Sequence, residues 1–205
     1  MDRPVIALGS AQIKGSRAEQ QDSLAFGDVE DKEFVEHGGV LAVVADGIGG
    51  HAHGGEASRR AVAAFMREYQ AKPLPESIPS ALYHALLQAN RAVLAFADSR
   101  GETENCGTTL VAAVIHPNTG ILHWIGVGDS RLYCLREGQL VQFTADANVG
   151  RHHIKKVASG MSSRDGLIWE ESWQRLTSFV GKKNLVAIDR SLKPFPLHEG
   201  DIAML

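Results

Sequence analysis

The residues best suited by type and spacing to do chemistry lie in Val43-Val44-Ala45-Asp46-Gly47-Ile48-Gly49-Gly50, where an apolar run ends on a carboxylate followed at once by glycines. A strand that delivers Asp46 into so flexible a turn lets backbone approach a ligand closely. Magnesium and manganese favour oxygen donors, so Asp46, the Gly47 carbonyl and bound waters form a coordination set for a hard divalent cation. Two other readings of the stretch stay open. A plain Asp-Gly turn, its side chain capping the following backbone, has the same composition. Gly47-Ile48-Gly49-Gly50-His51-Ala52 also fits the G-x-G-x-x-A pattern of a dinucleotide-binding turn. That fold needs the next helix to return to a parallel strand bearing an acid, whereas here a second helical pattern follows. His51 and His53 have the spacing of a metal-binding pair, but read more simply as polar surface residues at a helix start.

The elements that must hold these residues follow from periodicity. Val5-Leu8, Leu24-Phe26 and Val40-Ala45 are short apolar runs punctuated by Gly, Asp and Ser, and read as three strands. After Gly54-Gly55, Ala57, Ala61, Val62, Phe65, Met66 and Tyr69 mark one face of a helix that Pro73 and Pro75 end. A second helical stripe follows Pro79, from Leu82 to Ala97. From Thr108 the pattern becomes an antiparallel meander: Leu110-Ile115, Ile121-Val127, Leu132-Leu135 and Leu140-Phe143, joined by turns at Pro117-Gly120 and Glu137-Gly138. Residues 146–173 are polar and irregular and read as a mobile flap. Leu185-Ile188 reads as a further strand, and Ile202-Leu205 is an apolar run at the end of the sequence. Strands, then paired helices, then more strands predict an α+β domain of segregated layers rather than alternating βαβ units.

The 205 residues suffice for one well-filled core, so a single domain over 1–205 is expected. With 44% hydrophobic and 22% charged residues the composition is that of a folded globular chain. A net charge of -3 without a long basic stretch argues against a nucleic-acid partner. Cys106 and Cys134 lie far apart with no CxxC spacing, as expected of buried thiols in a reducing compartment. No leader-like N-terminus and no window of membrane-spanning length is found, so a soluble cytoplasmic protein with no membrane partner is expected.

Five segments taken in order resemble one family. Arg17-Ala18-Glu19-Gln20-Gln21-Asp22-Ser23 is similar to its R-x-x-N-x-D-S opening, with Gln20 in the asparagine position, and Ala45-Asp46-Gly47-Ile48-Gly49-Gly50-His51 resembles A-D-G-M-G-G-H. Gly107-Thr108-Thr109-Leu110, Val127-Gly128-Asp129-Ser130-Arg131 and Phe143-Thr144-Ala145-Asp146 resemble G-T-T-L, V-G-D-S-R and L-T-x-D. On these motifs the chain is identified as a member of the metal-dependent serine/threonine protein phosphatases of type 2C, in their bacterial form.

The resemblance implies a central antiparallel β-sandwich flanked by helical layers (α-β-β-α), with two Mn²⁺ or Mg²⁺ ions, and room for a third, at one end. It implies that Asp46 bridges the metals, Gly47 offers its carbonyl, Asp22 belongs to the inner acidic shell, Asp129 holds an additional weaker ion and Arg17 binds phosphate. The implied reaction is hydrolysis of phosphoserine and phosphothreonine in proteins by a metal-bridging hydroxide, with signalling partners such as a serine/threonine kinase or its targets. Arg17 suits phosphate because its planar fork of donors matches phosphate oxygens better than a lysine. Two departures stand out: Gln21 occupies a position often glutamate in relatives, and the family's S-D-G and D-N-x-T elements, each with a metal-ligand aspartate, are missing. The expectation is therefore a chain truncated at its C-terminus with reduced metal affinity and activity. A non-catalytic phosphatase-like binding module is the main alternative function, and a dinucleotide-binding domain the minor one.

Overall fold

The run that ends on Asp46 is built into a sheet whose pairings are all antiparallel. The computed structural model describes residues 5–48, 53–103, 105–163 and 171–205. In it β1 (Asp22–Phe26) leads through a short helix α1 (Lys32–Gly38) to β2 (Val40–Asp46), and the two strands pair so that Asp22 lies opposite Asp46. The helices α2 (Gly54–Gln70) and α3 (Ile78–Ser99) come next, followed by β3 (Leu110–His116) and β4 (Ile121–Val127). One sheet has the order β1-β2-β3-β4, with the two-residue strands β7 (Asp189–Arg190) and β8 (Phe195–Pro196) on the far side of β4. A second sheet sets β5 (Tyr133–Arg136) between β6 (Gln139–Gln142) and β9 (Ile202–Met204). Gly49–Ala52 lie outside the described residues, but because β2 is followed by paired helices and then by an antiparallel neighbour, the dinucleotide reading of Gly47–Ala52 fails: among the described residues the parallel return strand it needs is not formed.

Layering follows from which faces are apolar. The helix pair packs on one face of the larger sheet, burying Phe65, Tyr69, Leu82, Leu86 and Val93 against Leu41, Val43, Leu110 and Ile125. The other face packs on the smaller sheet through Val111, Ala113, Leu122 and Leu132, with Trp124, Phe143 and Phe195 beside them. Strand alternation makes this possible, since Leu110 and Val111 point to opposite cores. Tyr69 is fully buried, and its hydroxyl donates to the Gly38 carbonyl at 2.7 Å, which leaves no unpaired polar atom at the tip of the ring. Truncating Phe65, also fully buried, to alanine would cost ~3–5 kcal/mol. On the outer face of the smaller sheet Leu140, Ile202 and Met204 are exposed. Among the described residues no helix is long and apolar enough to cross a membrane.

Four expectations need correction. Val5-Leu8 forms no strand; Val5 is 95% exposed, and an apolar quartet without a pairing partner stays extended chain. The strand expected at Leu185-Ile188 is found instead at Asp189–Arg190, where the backbone meets Gly126 and Ile125 of β4. Helix α1 falls in a stretch read as connection, started by the Asp31 side chain accepting from the Phe34 amide. The 146–173 segment is not irregular throughout. It contains α4 (Val149–Ala158), capped by the Asn148 side chain accepting from the Arg151 amide, and a 3-10 turn at Glu171–Gln174, while residues 164–170 lie outside the described part.

Candidate active site

Asp46 ends β2, and its position is fixed by backbone rather than by its own side chain. Its amide donates to Thr109 Oγ1 at 3.0 Å, while its carbonyl accepts from the Thr109 amide at 2.9 Å and from Thr108 Oγ1 at 2.8 Å. Thr109 Oγ1 also shares a 2.6 Å hydrogen bond with Ser130 Oγ, beside Asp129. One buried threonine thus ties the two aspartate-bearing segments together. Gly128, with φ +106°, permits this, because a Cβ there would come within 2.7 Å of Thr109 Cγ2.

The Asp46-Gly47 turn is clamped as tightly on its other side. The Gly47 amide donates to the Gln21 carbonyl at 3.1 Å, and that carbonyl also accepts from Ser58 Oγ of α2 at 2.6 Å. A Cβ at Gly47 would come within 2.9 Å of the Gln21 carbonyl oxygen and closer still to the Gly54 carbonyl, so no larger residue fits without moving backbone. Ser58, fully buried, also bonds Ser23 Oγ at 3.0 Å and so anchors the segment that carries Asp22.

These restraints place like charges together. The Asp46 carboxyl is pushed up to about 6, chiefly by desolvation, then by a hydrogen bond and charge repulsion from Asp22 and by the charge of Asp129, with Arg17 pulling the other way. The residue keeps surface open to the cavity, yet its carboxyl stands among enough protein to lose much of its hydration. Burial and the charge of Asp146 raise the Asp129 carboxyl as well. Arg131 does not face this cluster as a free cation: its Nε and Nη2 hold the two Asp146 oxygens at 3.0 and 2.6 Å, and Nη1 donates to Tyr133 Oη at 3.2 Å.

A cavity of about 1600 Å³ opens beside these groups, and Arg17, Asp46, Gly47, Thr109, Asp129 and Asp146 are among its lining residues. Asp22 is not in the lining; it reaches the site through Asp46. The residues Arg17, Asp22, Asp46, Gly47 and Asp129, singled out from sequence, are therefore gathered at one end of the sandwich. His53 is not part of the gathering: it packs against Phe96 with ring centroids 5.9 Å apart and stands 3.8 Å from Glu102, while His51 lies outside the described residues. Sequence reasoning gave no role to Thr109 and Ser58; the G-T-T-L element was the signal for the first, and a lone serine in a helical stripe gave none for the second.

The sequence profile of the protein phosphatase 2C family matches residues 13–187. The chain belongs to that family. Among phosphatase 2C relatives, the serine/threonine phosphatase Stp of Listeria welshimeri is 29% identical over 158 residues, which are 76% of this chain and 61% of that protein. PstP of Mycobacterium tuberculosis, a serine/threonine protein phosphatase, is 36% identical over 117 residues, 57% of this chain and 22% of that protein. The crystal structure of a PstP catalytic domain in complex with two manganese ions superposes with a TM-score of 0.62 at 25% identity, covering 98% of this chain and 72% of that one. The chain thus matches about three fifths of the length of the first of these curated relatives. The expected α+β phosphatase 2C fold is the observed one.

Proposed function

We propose that this chain hydrolyses phosphoserine and phosphothreonine in proteins with the help of divalent cations held at the end of β2. The observation that carries the reading is the gathering of Asp46, Asp22 and Asp129 beside a cavity that Arg17 also lines; desolvation first, then the neighbouring carboxyls, raises the Asp46 carboxyl to about 6. Carboxylates in repulsion are a site that a cation relieves, and metal uptake there would release a proton. Two carboxylates, a carbonyl and waters suit magnesium or manganese, so Asp22, Asp46 and the Gly47 carbonyl would hold the principal ions and Asp129 a further one. Bound there, such ions would supply positive charge against a phosphoryl transition state and lower the pKa of water near neutrality. The chain's own part is positional: Arg17 offers its guanidinium fork to phosphate oxygens, and Thr109 fixes the spacing of the aspartates. Substrates would be phosphorylated proteins, products of a serine/threonine kinase, in the cytoplasm.

A second reading, a phosphatase-like binding module without turnover, is favoured by one observation. Among the described residues, no group of three or more His, Cys, Asp and Glu side chains is gathered closely enough to hold a metal by itself. Turnover of para-nitrophenyl phosphate with manganese, measured for this chain and for Asp46→Ala, separates the two. A rate that requires manganese and falls at least about a hundredfold in the variant supports the enzyme. No turnover, together with no heat of manganese binding in calorimetry, refutes it and leaves the module.

A further inference from the structure

The cavity has walls of opposite sign. Strand ends and their loops contribute Asp46, Asp129 and Asp146 together with Arg17 and the Asp146-paired Arg131; the other wall, from α4 and residues 173–182, contributes Arg151, Lys155, Arg175 and Lys182 and no carboxylate among the described residues. Beyond its first two residues, the cavity-lining residues of α4, Arg151, Ile154, Lys155 and Ala158, fall at i, i+3, i+4 and i+7, a single stripe of a helix. Packing sets that stripe. A Cβ on Gly150 would come within 3.0 Å of the Trp173 side chain, and the His153 ring centroid lies 5.6 Å from that of Trp173. Within the wall Val149 donates to the Arg175 carbonyl at 3.0 Å, and the wall is pinned to the acidic one where Thr177 donates to the Ala147 carbonyl at 2.8 Å and Val180 and Thr108 exchange backbone hydrogen bonds at 2.8 and 3.0 Å.

These cations line the cavity without a carboxylate partner among the described residues. Arg59, Arg60, Arg131 and Arg136 are each paired with a carboxylate, whereas among the described residues Arg151, Lys155 and Arg175 form no ion pair. Lys182 is partly engaged, donating to the Thr177 carbonyl at 3.1 Å. The cavity, at about 1600 Å³, is far larger than a phosphorylated side chain, so it has room for the residues flanking the phosphate along its walls.

We infer that the α4 wall is a subsite for acidic side chains flanking the phosphorylated residue, so that the chain selects phosphopeptides rich in Asp and Glu over those rich in Lys and Arg. The inference rests on the phosphatase reading and narrows its substrate class. A flanking lysine would meet Arg151 and Lys155 with like charge, and repulsion of the wrong partner contributes to selectivity as much as attraction of the right one.

The test is fluorescence anisotropy on the full chain with manganese, using labelled peptides that carry a phosphonate analogue of phosphoserine, which no hydrolase turns over. One peptide is flanked by glutamates, one by lysines, and a third is the glutamate peptide without the phosphonate. The glutamate phosphonate should bind about tenfold tighter than the lysine one at low salt, with the gap closing as salt rises. The double variant Arg151→Glu, Lys155→Glu should reverse the order. Should circular dichroism show that variant unfolded, Arg151→Gln with Lys155→Gln must abolish the preference. Equal or undetectable binding of the two phosphonates, a preference that survives the folded variant, or equal binding of the peptide without phosphonate overturns the inference. Failure of the phosphatase reading shows separately, as absent manganese-dependent turnover of para-nitrophenyl phosphate by the unaltered chain.

Discussion

Replacing Thr109 by valine isolates the link between the two aspartate segments. Valine has nearly the same shape, and Thr109 is 3% exposed, so the change opens no cavity and lets in no water. It removes the acceptor of the Asp46 amide at 3.0 Å and the partner of Ser130 Oγ at 2.6 Å. An amide left unpaired in the interior costs ~1–3 kcal/mol, and loss of the second hydrogen bond, whose serine can turn to solvent, adds ~0.5–1 kcal/mol. A total of about 1.5–4 kcal/mol in a domain of this size corresponds to a melting temperature lower by roughly 3–16 °C. Thr109→Ser keeps the oxygen and should lose less than half as much. Thermal unfolding by circular dichroism gives both values, and the manganese dependence of para-nitrophenyl phosphate turnover should shift to higher metal concentration in the valine variant alone. Equal melting of the valine variant and the unaltered chain, or equal damage by serine and valine, would refute the reasoning that the hydroxyl rather than the methyl holds the aspartates in place.

Metal-free stability should fall as pH rises from about 4 to about 6, because the Asp46 carboxyl, at about 6 when folded against 3.8 unfolded, retains its proton in the fold after the unfolded chain has lost it. Asp46→Asn should therefore melt above the unaltered chain at pH 7.5 in EDTA and level with it near pH 4; a lower melting point at pH 7.5 would contradict the crowding. Asp201 has the opposite sign. The Arg136 fork, assisted by the His198 amide, holds its carboxyl down at about 2, so the stability it contributes is present above pH 4 and lost as pH falls through 2. In Arg136→Gln that acid-side loss should flatten, as read by melts between pH 2 and 5. Gly47→Ala should cost ~1–3 kcal/mol through backbone displacement at the Gln21 and Gly54 carbonyls, measured by urea unfolding.

The helix pair and the strands β2, β3 and β4 were legible because their apolar residues recur at a single period over seven residues or more. Legibility failed where tertiary contacts decide the outcome. Val149, Ile154 and Val157 are too sparse a stripe to announce α4, and Gly150 weakens it further; what holds the helix is the Trp173 side chain, which local periodicity cannot place. Val5-Leu8 is as apolar as a strand but has nothing to pair with, while Asp189–Arg190 is polar and becomes a strand because β4 offers a ladder. At the site, the charged residues were legible as motif letters. The backbone-to-threonine bonding that makes them a unit was not, since it joins positions 63 residues apart.

Because Gly47 is wedged between the carbonyls of Gln21 and Gly54, the first turn of α2 and the tip of β2 behave as a single lever. Neither segment can shift toward Gly47 without meeting backbone, so the seating of the first turn of α2 and the position of Asp46 are set together.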